Sequence, residues 1–536
     1  MKKLFTTLML TVTLQSFAQW NTDINENLEV SSYKANVEYS ARTSDGKTYV
    51  FFFEENTTDN YVPRVQLLDA EGNKLFGNDG IIVKSAGTFA SFIQVSDIAV
   101  DAENNLIVSF FATNDAVLYA NKISPSGENL WGNSGVSVAS GGAFPKIVAL
   151  NSGVVIGYTL SGKGYLQKFD SSTGAALWST PIISPAVSGL NNTSVTELSR
   201  LSDDSFVSIS SSKGTAFSAI GTLVAQRYDG TGTPLWANPT QLTSTTGVQY
   251  NVRYDHIVDN DNVYIGYYTS GISGSKFDAF VQRISPDGTL PWGDNGKDVS
   301  TSDYYEMKTN IGINGDDLWA ISTFTDDTQG PRGEYIQKFN KISGDVEFDP
   351  AAKEIYPLAI GSAAFTHFSS IQFLNNVPVF VTADNTDISV DPVTLRLVTL
   401  DSNDGTKGDE YLISASSVKS NIAVNSYNNQ LVAVWSDVRN SSNPEIYAQN
   451  FKLPDMDIQN IKQSYYYQIY PNPSSATVQI KTSKEIKENM LYDLSGKEIM
   501  KITGDSVDIT SVKQGIYILK SVFADGTIAT EKLIKK

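Results

Sequence analysis

The sequence contains no cysteine, which excludes disulfides, thiolate metal sites and thiol nucleophiles. Only two histidines occur, His256 and His367, so a metal centre built on several imidazoles is excluded as well. Charged residues make up 18% of the 536 positions, arginine supplies nine of them, and the formal net charge is −18. Nucleic acid and anionic membrane both need a basic surface, so neither is expected as a partner. Beyond residue 18 no apolar run is long enough to cross a bilayer, so no transmembrane segment is expected in the mature chain. Neither a glycine-rich phosphate loop nor a nucleophile elbow is present.

What the chain does have is 11% aromatic residues, 39 glycines and many Ser, Thr and Asn. That composition favours short strands and tight turns, and hence an all-β fold. The length exceeds one ordinary domain. Residues 1–18 carry Lys2 and Lys3, an apolar stretch from Leu4 to Leu14, and Ser16-Phe17-Ala18 as a small-residue cleavage site. They read as a signal peptide too short to serve as a membrane span.

At the other end, Tyr470-Pro471-Asn472-Pro473 opens a segment that continues with LYDLSGKEI at 491–499, VDITSVKQGIYILK at 507–520 and a final KLIKK. The prolines stop any earlier element, and Ser495-Gly496 and Asp525-Gly526 between alternating runs signal hairpins, which suggests a small antiparallel sandwich. Residues 470–536 carry a net charge of +2, whereas 19–469 carry −22, and such a shift marks a separate domain. The four motifs, in this order, resemble the type A C-terminal sorting domain of the type IX secretion system of Bacteroidetes. Tyr470, Pro471, Asn472, Pro473, Gly496, Gly515, Tyr517 and Lys532 carry the resemblance. It implies an exported protein of a Gram-negative cell, routed through the periplasm. Recognition by the outer-membrane export machinery then leads to release or surface attachment.

A repeat fills the middle. Eight strands centre on Gln66, Asn121, Gln167, Gln226, Gln282, Gln337, Val398 and Gln449, a step of about 55 residues that suits a four-stranded propeller blade. Six or seven residues after each of the first seven lies a glycine: Gly72, Gly127, Gly174, Gly232, Gly288, Gly344 and Gly405. Four residues after six of these comes an aromatic, Phe76, Trp131, Trp178, Trp236, Trp292 or Phe348, while the seventh has Asp409. A polar turn before an apolar run supplies two further strands per repeat, so each has strands A, B, C and D. The eighth copy lacks its own strand D, and Trp20 opens a segment of that pattern with nothing before it. The expectation is an eight-bladed β-propeller over 19–453 in which 20–30 pairs with 447–451 and closes the last blade. A linker over 454–469 and the sorting domain over 470–536 follow.

Strand order places the B–C loops at one end of every blade, and they differ in length and composition: 54–64, 210–222, 269–278, 323–334, 382–393 and 436–445. Variable loops on a rigid scaffold commonly carry function. Glu54, Tyr61, Tyr267, Asp326, Arg332, Asp437 and Arg439 are the ligand-binding candidates of that face. AVWSDVRNSSNPEIYAQ at 433–449 is similar to a Trp-x-Asp-x-Arg … Ile-Tyr-Ala-Gln repeat of extracellular bacterial propellers. Its Asp437 and Arg439 either meet a ligand or pair with each other. Ser285 to Trp292 is similar to the Asp-box of sialidases, but Gly288 follows Asp287 directly, and such boxes form turns rather than catalyse. Arg227 and Arg283 adjoin strand-C glutamines and do not assemble a sialidase-type arginine cluster.

No cofactor is expected. Calcium is the one cation the acidic loops at Asp59, Asp115, Asp326-Asp327, Asp384 and Asp387 could take, although none has Asp-x-Asp-x-Asp-Gly spacing. His256 and His367 read as packed or surface residues. The function expected is glycan or protein binding at the cell surface or in the medium. The alternatives are a glycan-active hydrolase on the same face, for which no catalytic residue is assigned, and a structural surface module.

Overall fold

The computed structural model describes residues 20, 21, 23–57, 60–84, 96–215, 218, 220–244, 246–248, 254–270, 276–385, 391–439, 443–453, 467–482, 484–493, 497–524 and 528–536. The expected signal peptide, residues 454–466 of the expected linker, Gly496, Asp59 and Asp387 lie outside these residues, while 467–469 of that linker belong to the strand Tyr467–Tyr470. Among the described residues there is no α-helix, and no helix is long and apolar enough to cross a membrane. Two compact units divide between Lys452 and Leu453.

Among the described residues the first unit contains eight antiparallel sheets in chain order. The sixth is representative: Tyr305–Asn314, Asp317–Thr325, Arg332–Asn340 and Lys353–Ala359 pair in sequence. Both faces of each sheet meet a neighbour, so central strands read as continuous apolar runs rather than alternating ones. In the first sheet Phe51 and Phe53 pack with Val108 and Phe110 of the second. Val50 and Phe52, on the opposite face, pack with Val432, Val434 and Ile446 of the last. Tight A–B turns follow from Asn and Asp tolerating left-handed backbone: Asn260-Asp261 and Asn375-Asn376 each have both φ values positive.

The repeat acquires a physical meaning in the contacts between sheets. Each aromatic stacks not on the glycine of its own repeat but on that of the next: Phe76 on Gly127, Trp131 on Gly174, Trp178 on Gly232, Trp236 on Gly288, Trp292 on Gly344, and Phe348 on Gly405. At Gly288 φ is +85°, and an added Cβ would lie 2.7 Å from the Trp236 ring, so only glycine accommodates both the turn and the stack. Trp236 Nε1 donates to the Pro286 carbonyl at 2.9 Å, and Arg227 Nη1 donates to the same oxygen at 2.8 Å. Arg283 and Trp292 share the Ile342 carbonyl in the same way. Arg227 and Arg283 are therefore clamps between sheets. The Gln side chains hold their own turns: Gln282 Nε2 donates to Gly293 O at 2.9 Å, and its Oε1 accepts from the Arg283 amide.

Trp20 makes the same pair of contacts, stacking on Gly72 and donating to Ala70 O at 3.0 Å. The strand after it, Leu28–Ser31, joins the last sheet beside Glu445–Lys452, with Leu28 opposite Ala448 and Ser31 opposite Ile446. This shortens and shifts the expected pairing of 20–30 with 447–451. In the other sheets, too, the aromatic precedes the outer strand rather than lying in it, as Trp236 precedes Thr240–Gln241.

The ladders also run further than hydropathy suggested. The loop expected at 54–64 is a paired hairpin with Thr57 opposite Asn60, and the one expected at 210–222 narrows to the residues between Lys213 and Gly221. Polar Ser, Thr and Glu at strand ends keep backbone pairing that an apolar pattern cannot register.

The second unit packs a three-stranded sheet (Tyr467–Tyr470, Thr477–Thr482, Ser506–Asp508) against a four-stranded one (Glu498–Ile502, Ile486–Asp493, Gly515–Phe523, Ile528–Lys535). Ile469, Val478, Ile480 and Val507 from the first meet Leu491, Tyr517, Leu519 and Leu533 from the second, which makes it a sandwich.

Candidate functional site

The seven loop candidates do not converge. Glu54 is buried and ion-paired with Arg64, which in turn lies 4.7 Å over the Tyr33 ring. Tyr61 packs at the edge of the core between the first and second sheets. Tyr267 is a core residue, 1% exposed, stacked on Phe280 with its hydroxyl donating to Asn295 O, and burial holds that hydroxyl well above its usual pKa. Asp326 caps its own turn, accepting from Thr328 N and Oγ1 at 3.0 and 2.6 Å. Arg332 starts the third strand of the sixth sheet, and its Nε has no acceptor among the described residues.

Asp437 and Arg439 pair with each other at 2.6 Å. Asp437 is buried, also accepts from Trp435 Nε1 at 3.0 Å and lies 3.4 Å from Lys419 Nζ. Burial works to raise its pKa, but Arg439 and Lys419 outweigh it and the net direction is down. Arg439 lies 4.3 Å over the Tyr447 ring. The pair fixes the end of the last sheet, one of the two readings open from sequence. Glu54, Tyr267 and Asp437 are thus sheet residues, and the expectation of exposed loop positions is corrected for all three.

The inner strands carry a polar belt that sequence reading missed. Glu197 accepts from the Tyr254 amide at 2.7 Å and sits 3.2 Å from His256 Nδ1. Asp255 accepts from the Ile311 amide at 2.8 Å and from Ser370 Oγ at 2.6 Å, and Asp97 accepts from the Ile147 amide at 2.7 Å. These carboxylates satisfy backbone donors of later sheets, which is structural work. No sequence signal separates them from other acids, because their partners lie about 50 residues or more away in the chain.

A group of aromatic and charged residues lies toward the end where B–C and D–A connections gather, on the two faces of the sixth sheet; Tyr304 is its exposed ring, and Phe324, Tyr335 and Tyr356 are buried. Alternation along Arg332–Asn340 sends Tyr335 to one side and Glu334 to the other. Tyr335 stacks on Phe324 with ring centroids 4.2 Å apart, and Tyr304, 40% exposed, leans on both rings. On the other side Tyr356 stacks on Phe365 at 3.8 Å and donates its hydroxyl to Glu410 at 2.9 Å. Lys407 lies 4.2 Å over Tyr356 and 3.0 Å from Glu410, while Arg396 is held loosely between Asp384 at 3.4 Å and Glu410 at 3.5 Å. Arg396 Nε has no acceptor among the described residues. The groups left at least partly exposed, Tyr304, Phe365, Arg396, Lys407 and Glu410, are of the kinds that meet polyhydroxylated or anionic groups.

Two carboxyl groups near this cluster are pushed up to about 8. Burial dominates for both, reinforced by Asp298 at Glu306 and opposed by a 2.5 Å hydrogen bond from Thr382 at Glu334. Both side chains are fully buried, so they are not placed as acids toward a bound molecule. Among the described residues no three His, Asp or Glu side chains converge on a metal position. Asp115 accepts from Tyr119 Oη at 2.7 Å, and Asp384 is taken by Arg396 and the Thr394 amide. An open cavity of about 610 Å³ lined by Arg200, Leu201, Ser202, Val258, Asn260 and Asp261 lies at the opposite end, among the A–B turns.

Successive four-stranded sheets interlocked through an aromatic–glycine repeat define a propeller-like body, here joined to a β-sandwich. Residues 468–536 match the secretion system C-terminal sorting domain, and they are the type IX sorting domain of this chain. The protein is thus a type IX secreted, propeller-like protein, exported to the cell surface or released. No curated protein matches the sequence. Among solved structures, the chain is similar to the Dos1 propeller (11% identity, 79% of this chain and 95% of that one, TM-score 0.47). It is also similar to the polysaccharide lyase Uly1 (7%, 80% and 92%, TM-score 0.46) and to a GH93 α-L-arabinofuranosidase of Fusarium graminearum (7%, 58% and 93%, TM-score 0.34).

Proposed function

We propose that the eight sheets are the blades of one ring, closed by Leu28–Ser31, and that the ring is an extracellular binding module for a glycan or a protein. Export would run through the periplasm of a Bacteroidetes cell after removal of the signal peptide, followed by release or attachment. The observation supporting a binding role is the exposed Tyr304 ring together with the partly exposed Phe365, Arg396 and Lys407, which buried Tyr335 and Tyr356 back on the two faces of the sixth sheet. Asp326, Arg332 and Arg439 belong to the same end of their sheets and extend the candidate surface.

A panel of neutral and anionic glycans and surface proteins, presented to the purified mature chain, tests this reading. Tyr304→Ala combined with Lys407→Ala weakens binding about tenfold or more with an unchanged melting temperature, because substitutions of exposed residues cost only about 0.5 kcal/mol each. Binding unaffected by this pair, or abolished by changes at the A–B turns instead, refutes the placement. Release of shortened glycan products in the same panel would favour the hydrolase reading.

A further inference from the structure

The sorting domain's opening motif and its last strand are 60 residues apart in sequence and interlocked in space. Asn472 Nδ2 donates to the Lys532 carbonyl at 2.5 Å, and Asn472 Oδ1 accepts from the Ile534 amide at 2.9 Å. The side-chain amide therefore stands in for a peptide group of a neighbouring strand. Two residues later the backbone itself takes over. The Ser474 amide donates to Ile534 O and the Lys536 amide donates to Ser474 O, both at 2.9 Å, in a parallel bridge between Ser474 and Lys535. Lys535 Nζ adds a bond to Ser475 O.

On its other side Ile528–Lys535 pairs fully with Gly515–Phe523, with Gly515 opposite Lys535 and Tyr517 opposite Leu533. The last strand would otherwise be an open edge, free to fray or to pair with another chain. Proline on either side of Asn472 leaves both flanking positions without a backbone donor, and residues 471–473 bend away from the preceding strand, with the Asn472 side chain against the last strand. Asn472 is itself exposed and no part of the sandwich core, so its hydrogen bonds serve the strand rather than the fold.

We propose that Asn472 is a positioning residue for export: it holds the final residues as a fixed, edge-covered strand, and the secretion machinery reads this composite of opening motif and terminus rather than a loose tail. The proposal rests on the sorting-domain assignment and is independent of what the propeller-like body binds. Only an amide can both donate and accept here. Aspartate keeps the shape but sets an oxygen against the Lys532 carbonyl.

The test uses the full chain produced in a type IX-competent host, with Asn472→Asp and Asn472→Ala compared with wild type. Two quantities are measured: protein in the medium or on the surface, and hydrogen exchange of the C-terminal peptide containing Ile534 and Lys536. Losing two hydrogen bonds of ordinary strength lowers the docking equilibrium constant by about tenfold or more. The expected result is faster exchange at Ile534 and Lys536, periplasmic accumulation, and an unchanged melting transition of the first unit. Export at the wild-type level despite lost protection overturns the proposal. So does lost export with protection intact, since Asn472 would then be read directly rather than through the strand. Should either substitution unfold the sandwich, deletion of Lys536, which removes its amide donor to Ser474 O and leaves Asn472 and the hydroxyl bonds of Ser474 in place, is read by the same two measurements at Ile534.

Discussion

Glycines 288 and 293 lie five residues apart, both with left-handed backbone, at φ +85° and +82°. Only Gly288 lies under a ring; around Gly293 an added Cβ meets nothing within 4 Å. Gly293→Ala should therefore lose about 1 kcal/mol for the backbone alone, and Gly288→Ala about 2–4 kcal/mol, because Trp236 must also move. Denaturant unfolding of the two variants reads the difference, and equal losses would deny the stack its role. Glu306 makes the second residue-level case. Burial, helped by Asp298, raises its carboxyl to about 8, so the folded state holds a proton that the unfolded chain releases near 4.5. Its contribution is fully present below about 4.5 and is lost as pH rises through about 8. Stability of the wild type should decline over that interval, Glu334 adding to the effect, and Glu306→Gln should make the decline shallower by its own share, a few kcal/mol at most, and be the more stable form at pH 8. Melting temperatures at pH 5 and pH 8 check it.

Among the elements, the segment at the start of the described chain carries the most consequence for its length. Leu28–Ser31 supplies the fourth strand of the last sheet, Val30 is completely buried against Val50 and Phe52, and Trp20 caps the turn at Gly72. Deleting 20–31 removes a buried strand and leaves Glu445–Lys452 as an open edge. The expected cost is at least about 3 kcal/mol, with a lower melting temperature and concentration-dependent association, measured by calorimetry and light scattering. Trp20→Ala alone should reproduce part of the loss. An unchanged transition in both variants would mean the segment does not bind the first and last sheets together. This element was legible in the sequence because Trp20 repeats the aromatic of six other positions. Its register was not, because Leu28 opposite Ala448 is decided by where Val30 can reach the core between two sheets.

On the scale of the molecule, the two units have separate cores and opposite charge balance. Truncation at residue 467 should leave the main melting transition of the body unchanged while abolishing export, so the protein collects in the periplasm. Fractionation of the producing cells checks the second half, and secretion of the truncated chain would overturn it. What the residues themselves determined is the succession of strands and turns, the repeat of about 55 residues and the sorting domain. Those properties are written locally: in alternation, in Asn, Asp and Gly at turns, and in motifs read in order. What only the tertiary structure decided is which polar residues are occupied. Tyr267 and Asp437 look like surface chemistry in sequence and are buried, while Tyr304 stays exposed and Phe365 and Arg396 of the seventh sheet gather beside Tyr356 of the sixth. The reason is physical: each sheet is covered on both faces by its neighbours, so a side chain's exposure depends on residues one whole repeat away.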